Sequence, residues 1–400
     1  MRVLLSTYGT RGDVEPLVAL AVRLQALGVE VRMCAPPDDE FAARLATIGI
    51  ELVPVGPPIR DLMRGTPPSA ATLSRYRTEL VDAQFDVLPT AIDGCDALLA
   101  TGLAQIGARS VAEAAGVRYV YAAYSAINLP SPHHAPPPRA GWPDPDESDN
   151  LTLWKLDADN VNTQFRDTLN RHRSSLGLPP VDNVRDHVYT DQPWLAADPF
   201  LGPWPETPGL DVTQTGAWTL PDDRPLPSDL LTFLAAGTPP IYVGFGSMGP
   251  SPDVARRIIE TIRAHGHRTL VSRGWADLGL IDDRDDCFAI GEVNQQLLFG
   301  KVAAAVHHGG AGTTMTAARA GVPQVVIALP VADTPYWASR VADLEVGVAL
   351  DSPTPSVEAL SVAFKTALAP ETRERARVLG AKMRTDGAAV AAKMLVEGLR

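Results

Sequence analysis

The chain has 400 residues, 45% hydrophobic and 20% charged, a composition typical of a globular protein with about two or three domains. Its 35 basic and 47 acidic side chains give a net charge of −12, which argues against nucleic-acid backbones and anionic membranes as partners. The 3 scattered cysteines form neither a disulfide framework nor a zinc site, and the first apolar run predicts a buried strand rather than a signal peptide. We therefore expect a soluble cytoplasmic protein.

Short apolar runs alternate with amphipathic stretches through the first 200 residues, a pattern that predicts a parallel sheet covered by helices on both faces. The predicted strands are Arg2–Thr7, Glu30–Ala35, Glu51–Val55, Ala97–Thr101, Arg118–Tyr124 and Trp194–Ala197. The predicted helices are Glu15–Leu27, Asp39–Ile48, Ala108–Ala115 and Leu151–Ser175.

Two proline-rich segments interrupt this pattern. Pro130–Pro145 cannot form a helix or a central strand, so we expect a long surface loop that acts as a lid or a binding loop. Pro199–Pro208 contains four prolines in ten residues and predicts a stiff linker. The predicted organisation is a first domain at 1–200, a linker at 201–215, a second domain at 216–385, and a C-terminal helix at 386–400 that packs back on the first domain.

The alternation restarts after the linker and predicts a second doubly wound domain. Its predicted strands are Ile241–Phe245, Thr269–Ser272, Cys287–Ile290, Val302–His307 and Gln324–Ala328. Its predicted helices are Asp229–Ala236, Val254–His265, Thr313–Ala320, Tyr336–Leu344, Val357–Leu368 and a long helical tail from Glu371. The predicted fold class is α/β, with two Rossmann-like parallel-sheet domains.

The strongest local motif is VAAAVHHGGAGTT at Val302–Thr314, where a strand runs through two histidines and a glycine-rich turn into a helix. Glycines allow the backbone to approach a ligand, and the N–H groups and dipole of a helix start favour a phosphate. No lysine follows the glycines, so this is not a Walker A loop. We expect His308 to donate to a phosphate oxygen and His307 to be structural. The alternative is a tight turn with Thr313 as the N-cap.

A second motif, YVGFGSMG at Tyr242–Gly249, matches the glycine pattern of dinucleotide-binding proteins. The next predicted strand ends without the acidic residue that this pattern requires, so binding of NAD or FAD is disfavoured. Ser247 is a candidate ligand contact, with a plain turn as an equal alternative.

A third motif, GTRGD at Gly9–Asp13, lies at the carboxyl end of the first predicted strand, the edge where open parallel sheets bind ligands. Arg11 can pair with a phosphate. The residues alone favour Asp13 as the N-cap of a helix beginning at Val14, with a catalytic base as the alternative.

A fourth motif is ALPVADTPYW at Ala328–Trp337, in which Asp333 either accepts hydrogen bonds from sugar hydroxyls or caps the next helix. Trp275, just past a predicted strand, either stacks on a base or covers the core. His133 and His134 have no carboxylate or cysteine partners at ligand spacing, so we interpret them as surface residues rather than a metal site.

The chain resembles bacterial antibiotic glycosyltransferases nearly end to end, in particular the vancomycin and teicoplanin group of glycosyltransferase family 1. The resemblance rests on the motifs MRVLLSTYGTRGDVEPLVALA, HVYTDQPWLAADP, QTGAW, YVGFGS, SRGWADL, HHGGAGTT and TDGAAVAAKML. It implies a GT-B fold, in which two Rossmann-like domains face across a cleft, the first holding the acceptor and the second the nucleotide sugar. It also implies an inverting, metal-independent hexosyltransferase that requires no cofactor besides its UDP- or TDP-sugar donor.

The resemblance assigns roles to individual residues. Asp13 matches the general base of the family, which favours that role over a helix cap. Trp275 and Val293 match positions around the nucleotide base, and Asp333 matches the carboxylate that holds the donor sugar. Thr334 stands where the family often has glutamine; its shorter side chain removes one amide contact, so the identity of the sugar stays open. The positions that match the donor-diphosphate site are Thr10, Arg11, Ser247, His308, Gly310, Gly312 and Thr313.

The predicted function is transfer of a sugar to a hydroxyl of a glycopeptide aglycone during antibiotic biosynthesis, by a monomer with neither nucleic acid nor membrane as partner. A glycosyltransferase acting on another bulky secondary metabolite, such as a macrolide or a polyphenol, is one alternative. A GT-B-fold nucleotide-sugar epimerase is another, although it should carry extra carboxylates and no large acceptor loop. A non-catalytic nucleotide-sugar binding protein is a third.

Overall fold

The computed structural model describes residues 1–63, 69–139, 141–142, 146–247, 250–275 and 278–399. The chain forms two compact units. The first unit contains Met1–Pro199, Pro203–Leu220 and Arg384–Arg400, and the second contains Phe200–Gly202 and Pro221–Met383.

Each unit is built on one parallel sheet. The strands of the first unit are β1 (Arg2–Thr7), β2 (Glu30–Ala35), β3 (Leu52–Pro54), β4 (Ala97–Thr101), β5 (Arg118–Ala123), β6 (Trp194–Leu195) and β7 (Thr213–Gln214). Those of the second are β8 (Ile241–Val243), β9 (Thr269–Ser272), β10 (Cys287–Ile290), β11 (Ala304–His307), β12 (Gln324–Ile327) and β13 (Gly347–Leu350). Over the described residues the sheet orders are β3-β2-β1-β4-β5-β6-β7 and β10-β9-β8-β11-β12-β13.

Helices connect the strands and cover the sheets. In the first unit they are α1 (Arg11–Ala26), α2 (Asp39–Ala46), α3 (Ile59–Met63), α4 (Ala70–Ala91), α5 (Ala108–Ala115), α6 (Asn150–Ser175) and α7 (Val184–Tyr189). In the second unit they are α8 (Ser228–Ala235), α9 (Pro252–Ala264), α10 (Gln295–Phe299), α11 (Ala311–Arg319), α12 (Thr334–Asp343), α13 (Val357–Ala367) and α14 (Pro370–Lys382), and α15 (Gly387–Glu397) returns to the first unit. None of the helices in the described ranges combines the length and apolar character that a membrane span requires.

The predicted Rossmann-like parallel sheets are confirmed, and several strands match the prediction at both ends. β1, β2, β4, β9 and β10 have the predicted bounds. For β4 the reason is physical: a central parallel strand is covered on both faces and must be apolar along most of its length. β1 pairs with β2 on one side and with β4 on the other, so its carboxyl end is flanked by a strand on each side.

Other predicted bounds were wrong. The first helix begins at Arg11 rather than Glu15, because Thr10 caps it and Pro16 is accommodated inside it. The long tail from Glu371 is two helices, α14 and α15, separated at Met383–Asp386. α15 packs against α1 within the first unit. The prediction also lacked α4 and β13.

Candidate active site

The Gly9–Asp13 turn forms a capping box at the start of α1. The Thr10 hydroxyl accepts from the Gly12 N–H (3.4 Å), and the Asp13 carboxylate accepts from the Thr10 N–H (2.8 Å). The prediction that Asp13 caps a helix from Val14 was therefore wrong: the cap is Thr10, and Asp13 is the third residue of the helix. Arg11 on the first turn lies 3.6 Å from the Glu15 carboxylate.

The Asp13 side chain lies against the backbone of Gly9. A Cβ on Gly9 would lie 2.1 Å from an Asp13 carboxylate oxygen, so this conformation requires glycine at position 9. Immediately after β5, the Tyr124 hydroxyl lies 3.0 Å from the Asp13 carbonyl oxygen and 3.2 Å from the Thr101 hydroxyl. The Thr10 N–H thus holds a partly exposed carboxylate at the carboxyl edge of the first sheet, and the Tyr124 hydroxyl holds the backbone of the same residue.

The glycine-rich loop after β11 is organised by a fully buried histidine. His307 is 0% exposed, its Nδ1 accepts from the Gly309 N–H (3.0 Å), and its Nε2 lies 2.8 Å from the Gln324 side-chain oxygen. Burial lowers the pKa of His307 to about 3, so the ring is neutral at pH 7. His307 therefore supports the glycine-rich loop from the interior of the protein.

His308 lies between two backbone turns. It is 8% exposed, and a Cβ on Gly310 would lie 2.4 Å from its Nε2, while one on Gly246 would lie 3.3 Å from its Cε1. Burial lowers the pKa of His308 to about 4. Its Nδ1 is buried and has no hydrogen-bond partner among the described residues. His308 is therefore a neutral imidazole with an unused polar atom, held by close contact with glycine backbone.

The start of α11 has no side-chain cap in the described part of the chain. Its N-cap is Gly310, so the alternative of Thr313 as N-cap was wrong. The first-turn N–H groups, those of Ala311, Gly312 and Thr313, have no carbonyl partner within the helix. A side chain at position 312 would meet open space, which shows that this turn faces outward. Uncapped N–H groups and the positive end of the helix dipole make this turn a candidate anion-binding element.

The loops after β8 and β9 meet beside His308. The Trp275 N–H donates to the Gly246 carbonyl (3.0 Å), and a Cβ on Gly274 would lie 2.3 Å from that same oxygen. Both glycines have positive φ, +60° and +57°. The structure thus brings Ser247 and Trp275 to the edge that carries His308; Met248 and Gly249 of the predicted motif lie outside the described residues.

The loop after β12 lies against the glycine-rich turn. A Cβ on Gly309, whose φ is +90°, would lie 2.8 Å from the Thr334 carbonyl oxygen.

The Asp333 carboxylate accepts a hydrogen bond from Trp337 Nε1 (2.8 Å), and burial raises the pKa of Asp333. Thr334 is 2% exposed, and its hydroxyl donates to the carbonyls of Leu329 and Val331. Asp333 is thus oriented by a buried tryptophan, whereas the Thr334 hydroxyl is used within its own loop.

Val293 follows β10 and packs, partly buried, against the core beneath α10.

In the first unit, the described part of Pro130–Pro145 is held by α6: Trp154 Nε1 donates to the His134 carbonyl (2.8 Å), and Arg139 pairs with the Asp157 carboxylate (2.6 Å). The prediction that His134 is a surface residue was wrong, since it is half-buried among the rings of Trp154 and Trp204. Residues 140 and 143–145 of this loop lie outside the described ranges.

Sequence reasoning missed the residues that support the site from behind. Gln324 and Tyr124 bond to candidate-site residues far away in sequence, and only the pairing of β11 with β12 and the position of β5 reveal this. One signal was available: Gln324 is a polar residue in an otherwise apolar strand run, QVVI. In the described residues no group of three or more His, Cys, Asp or Glu side chains is arranged to hold a metal ion.

Two protein-family models match parts of the chain. Residues 3–126 match the glycosyltransferase family 28 N-terminal domain, and residues 285–394 match the erythromycin biosynthesis protein CIII-like, C-terminal domain. The first of these models describes a domain of glycosyltransferases.

Relatives narrow the class to a family. Glycosyltransferase GtfE of Amycolatopsis orientalis is 54% identical, over 99% of this chain and 97% of its own length. Vancomycin aglycone glucosyltransferase of the same organism is 53% identical, over 100% of this chain and 98% of its own. The chain belongs to the vancomycin group of bacterial glycosyltransferases, which confirms the resemblance found in its motifs.

Solved structures share the fold. The glycotransferase of kitacinnamycin has a TM-score of 0.76 at 19% identity, and glycosyltransferase VinC in complex with dTDP has a TM-score of 0.72 at 18% identity. In both comparisons 100% of this chain and 99% of the other are covered. The fold is the GT-B fold of these glycosyltransferases, as predicted.

Proposed function

We propose that the protein transfers a sugar from a UDP- or TDP-sugar to a hydroxyl of a glycopeptide aglycone, with inversion at the anomeric carbon and without a metal ion. One relative is named vancomycin aglycone glucosyltransferase, and this name supports a glycopeptide aglycone as the acceptor. The dTDP complex of VinC supports a nucleotide-sugar donor. The first unit would hold the acceptor and the second unit the donor.

The observation that carries the proposal is the turn from His308 to Thr313. A diphosphate leaving group carries at least two negative charges, which must be stabilised as the glycosidic bond breaks. The uncapped first turn of α11 offers several N–H donors and the helix dipole. A phosphate oxygen that reached His308 would also satisfy an imidazole nitrogen that is otherwise buried without a partner. These groups supply stabilisation that other enzymes obtain from a divalent cation.

The remaining residues take the roles that their positions allow. Asp13 removes the proton of the acceptor hydroxyl as its oxygen attacks the anomeric carbon, and the diphosphate leaves from the opposite face. This single displacement inverts the configuration. Asp333 accepts hydrogen bonds from sugar hydroxyls while Thr334 keeps its loop in place.

The other donor-site assignments follow the same edge of the sheet. Trp275 and Val293 hold the nucleotide base. Ser247 and Gly310 contact the diphosphate with His308 and the first turn of α11, and Thr10 and Arg11 contribute from the first unit.

Nucleotide binding tests the donor site. UDP and TDP are titrated calorimetrically into the wild type and His308→Ala in buffer with EDTA, with His133→Ala as the control, since His133 is an exposed histidine of the first unit. A hydrogen bond to a charged acceptor contributes about 1.5–3 kcal/mol, so His308→Ala should weaken binding by about 10- to 150-fold. Equal affinity in His308→Ala and wild type would contradict the site. A requirement for Mg²⁺ would contradict metal independence.

The stereochemistry of the product tests inversion separately. An α-configured donor should give a β-configured product, which the anomeric coupling constant in the proton NMR spectrum reports. An α-linked product would rule out the single displacement.

A further inference from the structure

The two ring nitrogens of His307 have different partners, and together these partners define the protonation state of the ring. Nδ1 lies 3.0 Å from the Gly309 backbone nitrogen, which can only donate. Nδ1 must therefore be the acceptor and carries no proton. A neutral imidazole then has its proton on Nε2, which donates to the Gln324 side-chain oxygen at 2.8 Å.

Gln324 is an unusual residue for its position. It begins β12, is 0% exposed, and lies opposite Ala305 of β11 among apolar neighbours. Its side-chain nitrogen has no hydrogen-bond partner among the described residues. A buried amide with one unsatisfied end costs free energy relative to an apolar residue of the same size. The bond of its oxygen to His307 is the contact that offsets this cost.

We propose that Gln324 is a positioning residue for the diphosphate loop: it holds His307 in the Nε2-protonated tautomer, so that Nδ1 remains the acceptor that fixes the Gly309 N–H. This inference rests on the proposed function of the loop as the donor-diphosphate site. It adds a residue on the neighbouring strand to the machinery of the loop.

The loop has little freedom to accommodate the other tautomer. With the proton on Nδ1, two N–H groups would point at each other over 3.0 Å, and the Gly309 peptide would have to rotate. Gly309 lies at φ +90°, and a Cβ built on it would lie 2.8 Å from the Thr334 carbonyl oxygen and 3.0 Å from the Val326 side chain, so there is little space for its peptide to rotate without displacing the residues on either side. His308 and Gly310 flank Gly309 in this turn, and a Cβ on Gly310 would lie 2.4 Å from His308 Nε2.

The first experiment reads the tautomer directly. Long-range ¹H–¹⁵N NMR of the full chain distinguishes a protonated from an unprotonated ring nitrogen, and the signal lost in His307→Asn assigns His307. We expect an unprotonated Nδ1 in the wild type and a substantial population of the Nδ1-protonated form in Gln324→Leu. A protonated Nδ1 in the wild type would overturn the inference without any variant having to fold.

The second experiment asks whether the tautomer matters for binding. UDP affinity is measured for Gln324→Leu, for His307→Leu and for His307→Asn, whose side-chain oxygen can replace Nδ1 as acceptor. Loss of one backbone hydrogen bond should weaken binding by about tenfold in the two leucine variants, while the asparagine variant stays within about twofold of wild type. Equal losses in His307→Asn and His307→Leu would indicate packing rather than hydrogen bonding, and would refute the inference.

Failure of the positioning role of Gln324 and failure of the proposed diphosphate site give different results. If Gln324→Leu keeps both the wild-type tautomer and the wild-type affinity, Gln324 has no positioning role even though the loop binds nucleotide. If instead His308→Ala binds UDP as well as wild type does, the diphosphate site itself is refuted and the positioning role is refuted with it, whatever the tautomer.

Discussion

Replacing Asp13 by asparagine separates catalysis from helix capping. Asp13 is the third residue of α1, and its carboxylate accepts from the Thr10 N–H at 2.8 Å. The side-chain oxygen of asparagine can accept the same bond and keep the capping box. The variant loses one negative charge near a helix start, worth about 0.3–1 kcal/mol. A change of that size lowers the melting temperature by no more than about 4 °C in a unit of this size.

The effect on turnover should be far larger. A positioned general base contributes about 10²- to 10⁴-fold to the rate, or about 3–5.5 kcal/mol. The assay compares kcat of Asp13→Asn and wild type on a phenolic acceptor and on a less acidic alcohol, because an acidic phenol needs less help to lose its proton. Nucleotide affinity and melting temperature are measured on the same samples.

A matched control removes the same kind of charge elsewhere. Asp39 is an exposed first-turn acid of α2 in the same unit, so Asp39→Asn reports the dipole contribution alone. It should leave kcat within about twofold of wild type. Near-wild-type turnover of Asp13→Asn on both acceptors would refute Asp13 as the base, and a collapse of stability would show that its role is structural.

Three further predictions concern the second unit. The pKa of His308 is lowered to about 4, so between pH 6.5 and 4 the unfolded state binds a proton that the folded state does not, and stability decreases as the pH is lowered. His308→Gln should make the melting temperature less sensitive to acid over this window, and an unchanged pH profile would contradict the neutral buried ring. Gly309→Ala should destabilise the protein by about 1–3 kcal/mol in thermal or urea unfolding because its φ is +90° and its Cβ would collide, whereas Gly312→Ala, in open space, should be neutral or stabilising; equal effects would refute the strained turn. Asp333→Asn can still accept from Trp337, so it should keep UDP affinity but weaken binding of the intact UDP- or TDP-sugar; calorimetry with both ligands checks this, and equal losses would show that Asp333 does not contact the sugar.

The predictable part of this fold follows from burial. β1 and β4 are predicted to the residue because a strand covered on both faces has few positions where a polar side chain is tolerated. α4 was not predicted, since it interrupts its apolar positions with charged residues and contains Pro89 near its end. Its helical state is stabilised by packing on α5 and α6, which the local sequence does not contain.

The candidate site, like the fold, could be predicted only in part from the sequence. The glycine-rich loop was recognisable because its glycines precede a predicted helix start, and the structure has a turn there with Gly310 as the N-cap of α11. The cap of α1 was misassigned although the residues from Thr10 to Asp13 contain both halves of a capping box. Gln324 was not recognisable as a partner of His307, because that contact depends on the register of two neighbouring strands.

We expect the chain to glycosylate a glycopeptide aglycone. The measurement that tests it most directly is a mass-spectrometric screen of the purified protein with UDP- and TDP-sugars against vancomycin-type aglycones, a macrolide aglycone and a polyphenol, with Asp13→Asn in parallel. We predict a mass increase of one sugar on a glycopeptide aglycone, dependent on the nucleotide sugar, present in EDTA and much reduced in Asp13→Asn. Transfer to the macrolide or the polyphenol alone would contradict the acceptor class, and conversion of the nucleotide sugar to its epimer without transfer would contradict the reaction itself.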